Sequence, residues 1–293
     1  MDCAFFDPSY CAYKLFRLLP GLLIRLFLNA FCYPVWKSTS VCVIIPASCF
    51  FGLQKRRQIR IDGGLMKTKK IAVLTYPVKH RKTFDLLSIL KANGYEDVIV
   101  YAIPFHYQKK RFPLIQHRPE MHFNVPETEV LAKNFGYRYE TGALESFQIE
   151  QDRIVLVAGA GILPESFVKS HTIINAHPGY IPNCRGLDAF KWAIVEGEPI
   201  GVTTHLIGDY IDAGEVIERR RIPINMYDTF HAVAQRVYEN EVSMLVEAIE
   251  KLDNDCTQMM LPQDYPVHKR MPEDVEKTLL EEFEQYKKTF GEQ

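Results

Sequence analysis

Three polar residues stand at spacings that chemistry could use: Asn175, His177 and Asp212. Asn175 and His177 lie two apart at the end of the apolar run 172–174, so an extended chain turns both to the same side. Asp212 follows 35 residues after His177, in a loop beyond a second apolar run that contains His205. A histidine beside a primary amide and a carboxylate can carry a proton while the amide donates to a developing oxyanion. Such a set suits acyl transfer without a covalent enzyme intermediate, and no serine or cysteine stands out as an activated nucleophile. A single histidine at a strand end is ordinarily a satisfied core or surface residue, and the chain has nine. Its setting, NAHPGYIPNCRG over 175–186, is what gives this one weight.

These residues need a scaffold, and the chain from Met66 onward describes one. Short apolar runs at 69–76, 97–104, 153–161, 171–178 and 199–207 read as strands. Between them, 83–94, 126–136, 162–170 and 187–197 read as helices, the first ending on the cap signal Asn93-Gly94. A long helix is expected over 229–252, with Asp228 as its N-cap and Val233, Val237, Val242, Leu245 and Ile249 along one side. Strands apolar throughout and alternating with helices predict an α/β, Rossmann-like fold, a mostly parallel sheet with helices on both faces. Ligands in such sheets bind beyond the carboxyl ends of the strands, where 175–186 falls. We expect a catalytic domain over 66–260 and a charged helical tail over 261–293, with an amphipathic surface helix.

Composition divides the chain at Met66. Residues 1–65 carry eight Lys/Arg against three Asp and hold five of the seven cysteines, while the rest is net acidic. The apolar stretch 15–36 is broken by Arg17, Pro20 and Arg25, and each arginine costs roughly 2.5–3.5 kcal/mol at mid-bilayer. The uncharged run 38–54 is at the short limit for a span and contains Pro46. Two readings of 1–65 follow: upstream sequence read in frame before a start at Met66, which is favoured, or a membrane-peripheral segment. Only Cys184 and Cys256 occur after Met66, which is no disulfide framework and predicts a cytoplasmic domain. No Cys/His spacing reads as a metal site, and His106, His117 and His122 are expected in a loop.

The region from Ile154 to Ile217 resembles the 10-formyltetrahydrofolate-dependent formyltransferases, which include glycinamide ribonucleotide transformylase, methionyl-tRNA formyltransferase and the sugar N-formyltransferases. The matching residues are AGAGILP at 158–164, INAHPGYIPNCRG at 174–186 and DAG at 212–214. The resemblance implies 10-formyltetrahydrofolate as co-substrate and no metal. It implies that Asn175 binds the formyl oxygen, that His177 acts as an imidazolium, and that Asp212 holds His177 in its charged form. The pterin would lie against Gly159, Gly161, Ile162 and Leu163 on one side and Ile207 and Gly208 on the other. Arg185, Gly186, His205, Lys79 and Arg81 are the substrate-binding candidates.

The acceptor is expected to be a small-molecule amine, an amino sugar carried on a nucleotide. The glycinamide branch resembles itself in a glycine-rich phosphate loop after the first strand, where this chain reads TYPVKHRKTF. The tRNA branch carries a further C-terminal barrel, and the acidic main domain opposes nucleic acid, although tRNA remains an alternative acceptor. Basic residues 79–82, and less so 109–111, could meet a diphosphate. Two other readings stand beside this one: a formyltetrahydrofolate hydrolase with water as acceptor, and a non-enzymatic folate- or nucleotide-binding protein. No firm membrane association is expected, and the C-terminal helix is a candidate contact between copies. For the N-terminal segment, mass spectrometry of the natural protein should find its first residue at Met66; any peptide from 1–65 would exclude the internal start.

Overall fold

The computed structural model describes residues 67–105, 111–119, 124–208, 212, 214–252 and 265–292. Expectations for 1–65 and for His106, Lys109, Lys110 and His122 lie outside the described residues.

The apolar runs become strands because β-branched and aliphatic side chains fill both faces of a pleated chain. β1 (Ile71–Thr75), β2 (Val98–Ala102), β3 (Arg138–Thr141), β4 (Ile154–Val157), β5 (Ile173–His177), β7 (Gly201–Leu206) and β8 (Val216–Arg221) form a seven-stranded sheet in the order β3-β2-β1-β4-β5-β7-β8. The first five of these positions are joined by parallel pairings, whereas β7 runs antiparallel to both β5 and β8. The mostly parallel α/β fold expected from the sequence is therefore present. β3 was not expected; its side chains are largely exposed, so no apolar run marks it.

Side chains alternate between two cores. Ile71, Val73, Val98, Val100, Leu156 and Ile174 pack on the face covered by α1 (Arg81–Ala92) and α5 (Phe230–Lys251). Ala72, Leu74, Ile99, Tyr101, Val155 and Ile173 pack on the other, against Phe167 and Val168 of α3 (Glu165–Ser170). The remaining helix before β4 is α2 (Thr128–Phe135), ending at Gly136. Asp228 does not cap α5: the Thr229 hydroxyl accepts from Ala232 N at 3.2 Å, while Asp228 is held by Arg236 at 2.9 Å. The threonine sits at the extended residue before the first helical turn, where its oxygen reaches the free N–H.

The C-terminal segment is built into a third core. It comprises β9 (Val267–His268), α6 (Glu273–Glu276) and α7 (Leu279–Phe290), and β9 pairs in parallel with the short β6 (Arg185–Gly186). Leu279, Phe283 and Tyr286 pack with Phe190 and Ile194 of α4 (Ala189–Glu196) and with Phe230 of α5. The expected amphipathic helix is present, but its apolar stripe is docked. Glu276, 1% exposed, accepts from Lys191 Nζ, from Arg111 Nη2 at 2.8 Å and from Leu114 N at 3.0 Å. One carboxylate thus ties the tail to α4 and to the segment 111–119.

A second buried polar cluster joins α1 to α5. Lys82 and Arg118 pair with Glu241 at 2.8 and 2.7 Å. Burial pushes Glu241 up, but the two cations outweigh it and hold it below the ordinary carboxylate range. Beside them His80 is buried, with Nδ1 at 2.7 Å from the Thr83 hydroxyl, which also meets the Thr75 hydroxyl. Burial, reinforced by Lys82 and Arg118, pushes His80 down from 6.5 to about 4.

Two outcomes follow from these cores. Phe283→Ala should lower stability by about 3–5 kcal/mol in urea unfolding, whereas a tail merely resting on the surface would lose far less. The unfolded chain protonates His80 near pH 6.5 and the folded chain only near 4. Stability from this group is therefore complete above about 6.5 and declines as the pH falls toward 4. Between pH 7 and pH 5 the loss should approach about 2 kcal/mol, and His80→Gln should flatten that part of the urea-midpoint profile.

Candidate active site

Asn175 and His177 are the third and fifth residues of β5, and the register sets them opposite His205 and Thr203 of β7. Directly opposed residues of an antiparallel pair share a face, so Asn175, His177, His205 and Thr203 form one polar patch at the edge of an apolar sheet. The chain leaves β7 at Ile207, whose N–H bonds to Ile173 O at 2.9 Å, and returns to β8 at Val216. Within that excursion Asp212, at φ 46°, comes back over the patch.

His177 is 4% exposed, and both its ring nitrogens face acceptors. Nε2–H donates to Cys184 O at 2.9 Å, and Nδ1 faces Asp212 Oδ2 at 3.4 Å. A ring protonated on both nitrogens makes both contacts, while a neutral ring turns a lone pair toward the carboxylate. The close approach of Cys184 O needs Gly179: a Cβ there would run into that carbonyl and lie 2.6 Å from His177 Nε2. Thr203 fastens the same turn, donating to Gly179 O at 2.9 Å and accepting from Ile181 N at 3.1 Å. The 178–184 loop is thus folded to aim a carbonyl at the histidine.

His205 is oriented differently. Its Nδ1–H donates to Leu206 O at 3.0 Å, leaving the Nε2 lone pair 3.4 Å from Asn175 Nδ2. Burial lowers its pKa, with His177 acting in the same direction and Leu206 O and Asp212 opposing. The neutral ring therefore accepts from the Asn175 carboxamide and steers it. His205 Nε2 is 3.8 Å from Asp212 Oδ1, too long for a hydrogen bond. Cys184 is buried, and burial, followed by Glu196 and Glu198, pushes its thiol up to about 12, which denies it a thiolate role.

The other residues singled out in the sequence have varied surroundings. Gly159 follows β4 and packs against Tyr76 and His80 at the end of β1. Gly161 opens onto free space, Ile162 is 97% exposed, and Leu163 is anchored in the core that also receives Ile207. Gly208 passes close to Gly214 at the two ends of the Asp212 excursion. Lys79 is exposed beyond β1, but Arg81 is forked onto Asp85 at 2.8 and 3.1 Å, and Lys82 is committed to Glu241. The basic run 79–82 is therefore not a cluster of uncommitted cations. Arg185 is buried, and Gly186 N donates to Asp212 Oδ2 at 3.0 Å.

Sequence reasoning missed the strand that stands behind Arg185 and Gly186. β9 has two residues, too few to show any alternation, and reaches the site from some 80 residues away. Among the described residues, no helix is long and apolar enough to cross a membrane.

Known proteins resemble this chain in sequence and in fold. Residues 113–249 match the family model described as formyl transferase. The chain is 30% identical over 154 residues to the methionyl-tRNA formyltransferase of Koribacter versatilis, covering 51% of this chain and 47% of that protein. It is 27% identical over 175 residues to the methionyl-tRNA formyltransferase of Ehrlichia chaffeensis, covering 58% and 57%. The chain thus spans about half the length of the curated relatives it matches. The fold is similar to an N-formyltransferase from Helicobacter canadensis, solved with folinic acid and dTDP-3-aminofucose, with TM-score 0.50 and 18% identity over 69% of this chain and 71% of that one. The region that matches the family model, residues 113–249, includes both INAHPGYIPNCRG and the DAG of 212–214, and it spans less than half of the chain.

Proposed function

We propose that the protein transfers a formyl group from 10-formyltetrahydrofolate to a primary amine, and that the amine is an amino sugar carried on a nucleotide. The observation that carries the reaction class is His177 set between Cys184 O and Asp212 on the face that also presents Asn175. The residues fit the co-substrate: a carboxamide, a proton donor and a carboxylate share one patch.

10-Formyltetrahydrofolate supplies a formyl group on a nitrogen that departs as an amine. Asn175 uses one Nδ2–H toward His205 and keeps the other for an oxygen gaining negative charge. His177 holds on Nδ1 a proton that can pass to a departing nitrogen, while Nε2–H stays fixed on Cys184 O. Asp212 stabilises the charged ring and is itself held by Gly186 N–H. With the Cys184 thiol buried and undissociated, direct attack by the acceptor amine is the simplest course, and the proton which that amine sheds replaces the one that His177 gives to the departing nitrogen.

Two observations support the choice of acceptor. The turn after β1 carries no glycine, and its His80 is buried in a hydrogen-bonded cluster instead of presenting bare backbone N–H groups to a phosphate. The segment from Met66 onward is net acidic, which opposes the phosphate attraction that tRNA requires. Gly159, Gly161, Ile162 and Leu163, together with Ile207 and Gly208, are assigned to the folate, and Lys79 with Gly186 to the acceptor side. Arg81 and His205 serve through Asp85 and Asn175 respectively.

Release of tetrahydrofolate should be followed with amino-sugar nucleotides, glycinamide ribonucleotide, methionyl-tRNA and buffer alone. Turnover is expected with an amino-sugar nucleotide. Turnover confined to glycinamide ribonucleotide or tRNA would replace the acceptor, and formate release without any amine would make the protein a hydrolase. With the productive acceptor, His177→Ala should lower kcat at least ~10²-fold, and Asn175→Ala about 10²–10³-fold.

A further inference from the structure

Asp212 is the least anchored member of the catalytic set, since it lies in a loop and not on a strand. Its Oδ2 oxygen meets both His177 Nδ1 at 3.4 Å and Gly186 N at 3.0 Å. Whatever fixes the Gly186 amide therefore fixes the oxygen that faces the histidine.

That amide is fixed from the C-terminal segment. Gly186 is the second residue of β6 and is paired with His268 of β9, while Leu187 N donates to His268 O at 2.9 Å. At φ 85°, Gly186 turns its backbone so closely onto His268 that a Cβ would collide with the His268 carbonyl. The His268 side chain, 8% exposed, closes the arrangement. Its Nδ1 lies 3.2 Å from Arg185 O and its Nε2 lies 2.9 Å from Glu196 Oε1 on α4. Both partners are acceptors, so the ring with a proton on each nitrogen bridges them. Trp192 stacks on the ring with centroids 5.0 Å apart, and its Nε1–H donates to Lys269 O at 2.9 Å. Met271 N donating to Asp188 Oδ2 at 2.9 Å secures the same segment to the start of α4.

We infer that His268 is a positioning residue for the formyl-transfer site, acting through Arg185–Gly186 on Asp212 and thence on His177. The segment that carries it lies beyond residues 113–249, the extent of the family match, so the C-terminal tail completes the catalytic geometry from outside that match. This inference deepens the proposed function and rests on it for its kinetic consequences.

The test uses the full chain with His268→Ala and His268→Asn. Asparagine can place its amide nitrogen where the imidazole Nδ1 stands, so it keeps the donor to Arg185 O while removing the link to Glu196 and the ring stacked on Trp192. Kinetics would be read together with hydrogen exchange of the 184–188 backbone. His268→Ala should lower kcat about 10- to 100-fold, the scale of a misplaced catalytic group, with KM for the formyl donor nearly unchanged. Exchange at Gly186 and Leu187 should rise in parallel, and His268→Asn should recover most of both. Unchanged kcat in His268→Ala would overturn the inference, as would equal losses in the two variants, which would make the ring mere filling. If the wild-type chain formylates no acceptor, the proposed function fails, but the exchange arm still decides the strut: unaltered protection of Gly186 in His268→Ala overturns it.

Discussion

The site turns on one imidazole held between two acceptors. His177 gives one N–H to the Cys184 carbonyl and faces the Asp212 carboxylate with the other nitrogen. Neither acceptor is a chance neighbour. The carbonyl arrives because Gly179 has no side chain to block it and because Thr203 pins the turn from the adjacent strand. The carboxylate belongs to Asp212, between β7 and β8, which sits in the left-handed region at φ 46°. That conformation is costly for a non-glycine residue, though least so for Asp and Asn, and the bond from Gly186 N helps offset it.

The sheet accounts for why such a set can exist here. Parallel strands buried on both faces provide a rigid apolar frame, and the reversal of direction at β7 sets two polar-bearing strands side by side at its margin. Asn175 lies opposite His205, whose neutral ring accepts from the carboxamide, while His177 meets two acceptors of its own. Two histidines on one face thus differ in bonding according to the partners each nitrogen meets.

Much of this was legible in the sequence, and the reason is local. Asn175 and His177 share a face by the two-residue period of a strand, and the motifs at 175–186 and 212–214 carry the resemblance that places Asp212 beside them. The buried strands and the long helix were readable from continuous apolar runs and helical spacing. What escaped is what depends on distant partners. β3 has an exposed pattern, and β6 and β9 are two residues each, so no periodicity announces them. Arg81 and Lys82 looked like a basic patch, but Asp85 and Glu241 claim them, and Glu241 lies 159 positions beyond Lys82. The tail read as a charged surface helix, because docking of Leu279 and Phe283 depends on a groove made by α4 and α5.

The proposed mechanism requires Asp212 to act through His177 in the chemical step and not in binding. A single-turnover experiment on Asp212→Asn, mixed with 10-formyltetrahydrofolate and the productive acceptor, separates the two. The transfer step should slow by at least about 100-fold, as expected when a proton donor loses its charge partner, with the affinity for the formyl donor preserved. An unchanged transfer rate, or a defect lying wholly in donor affinity, would contradict it.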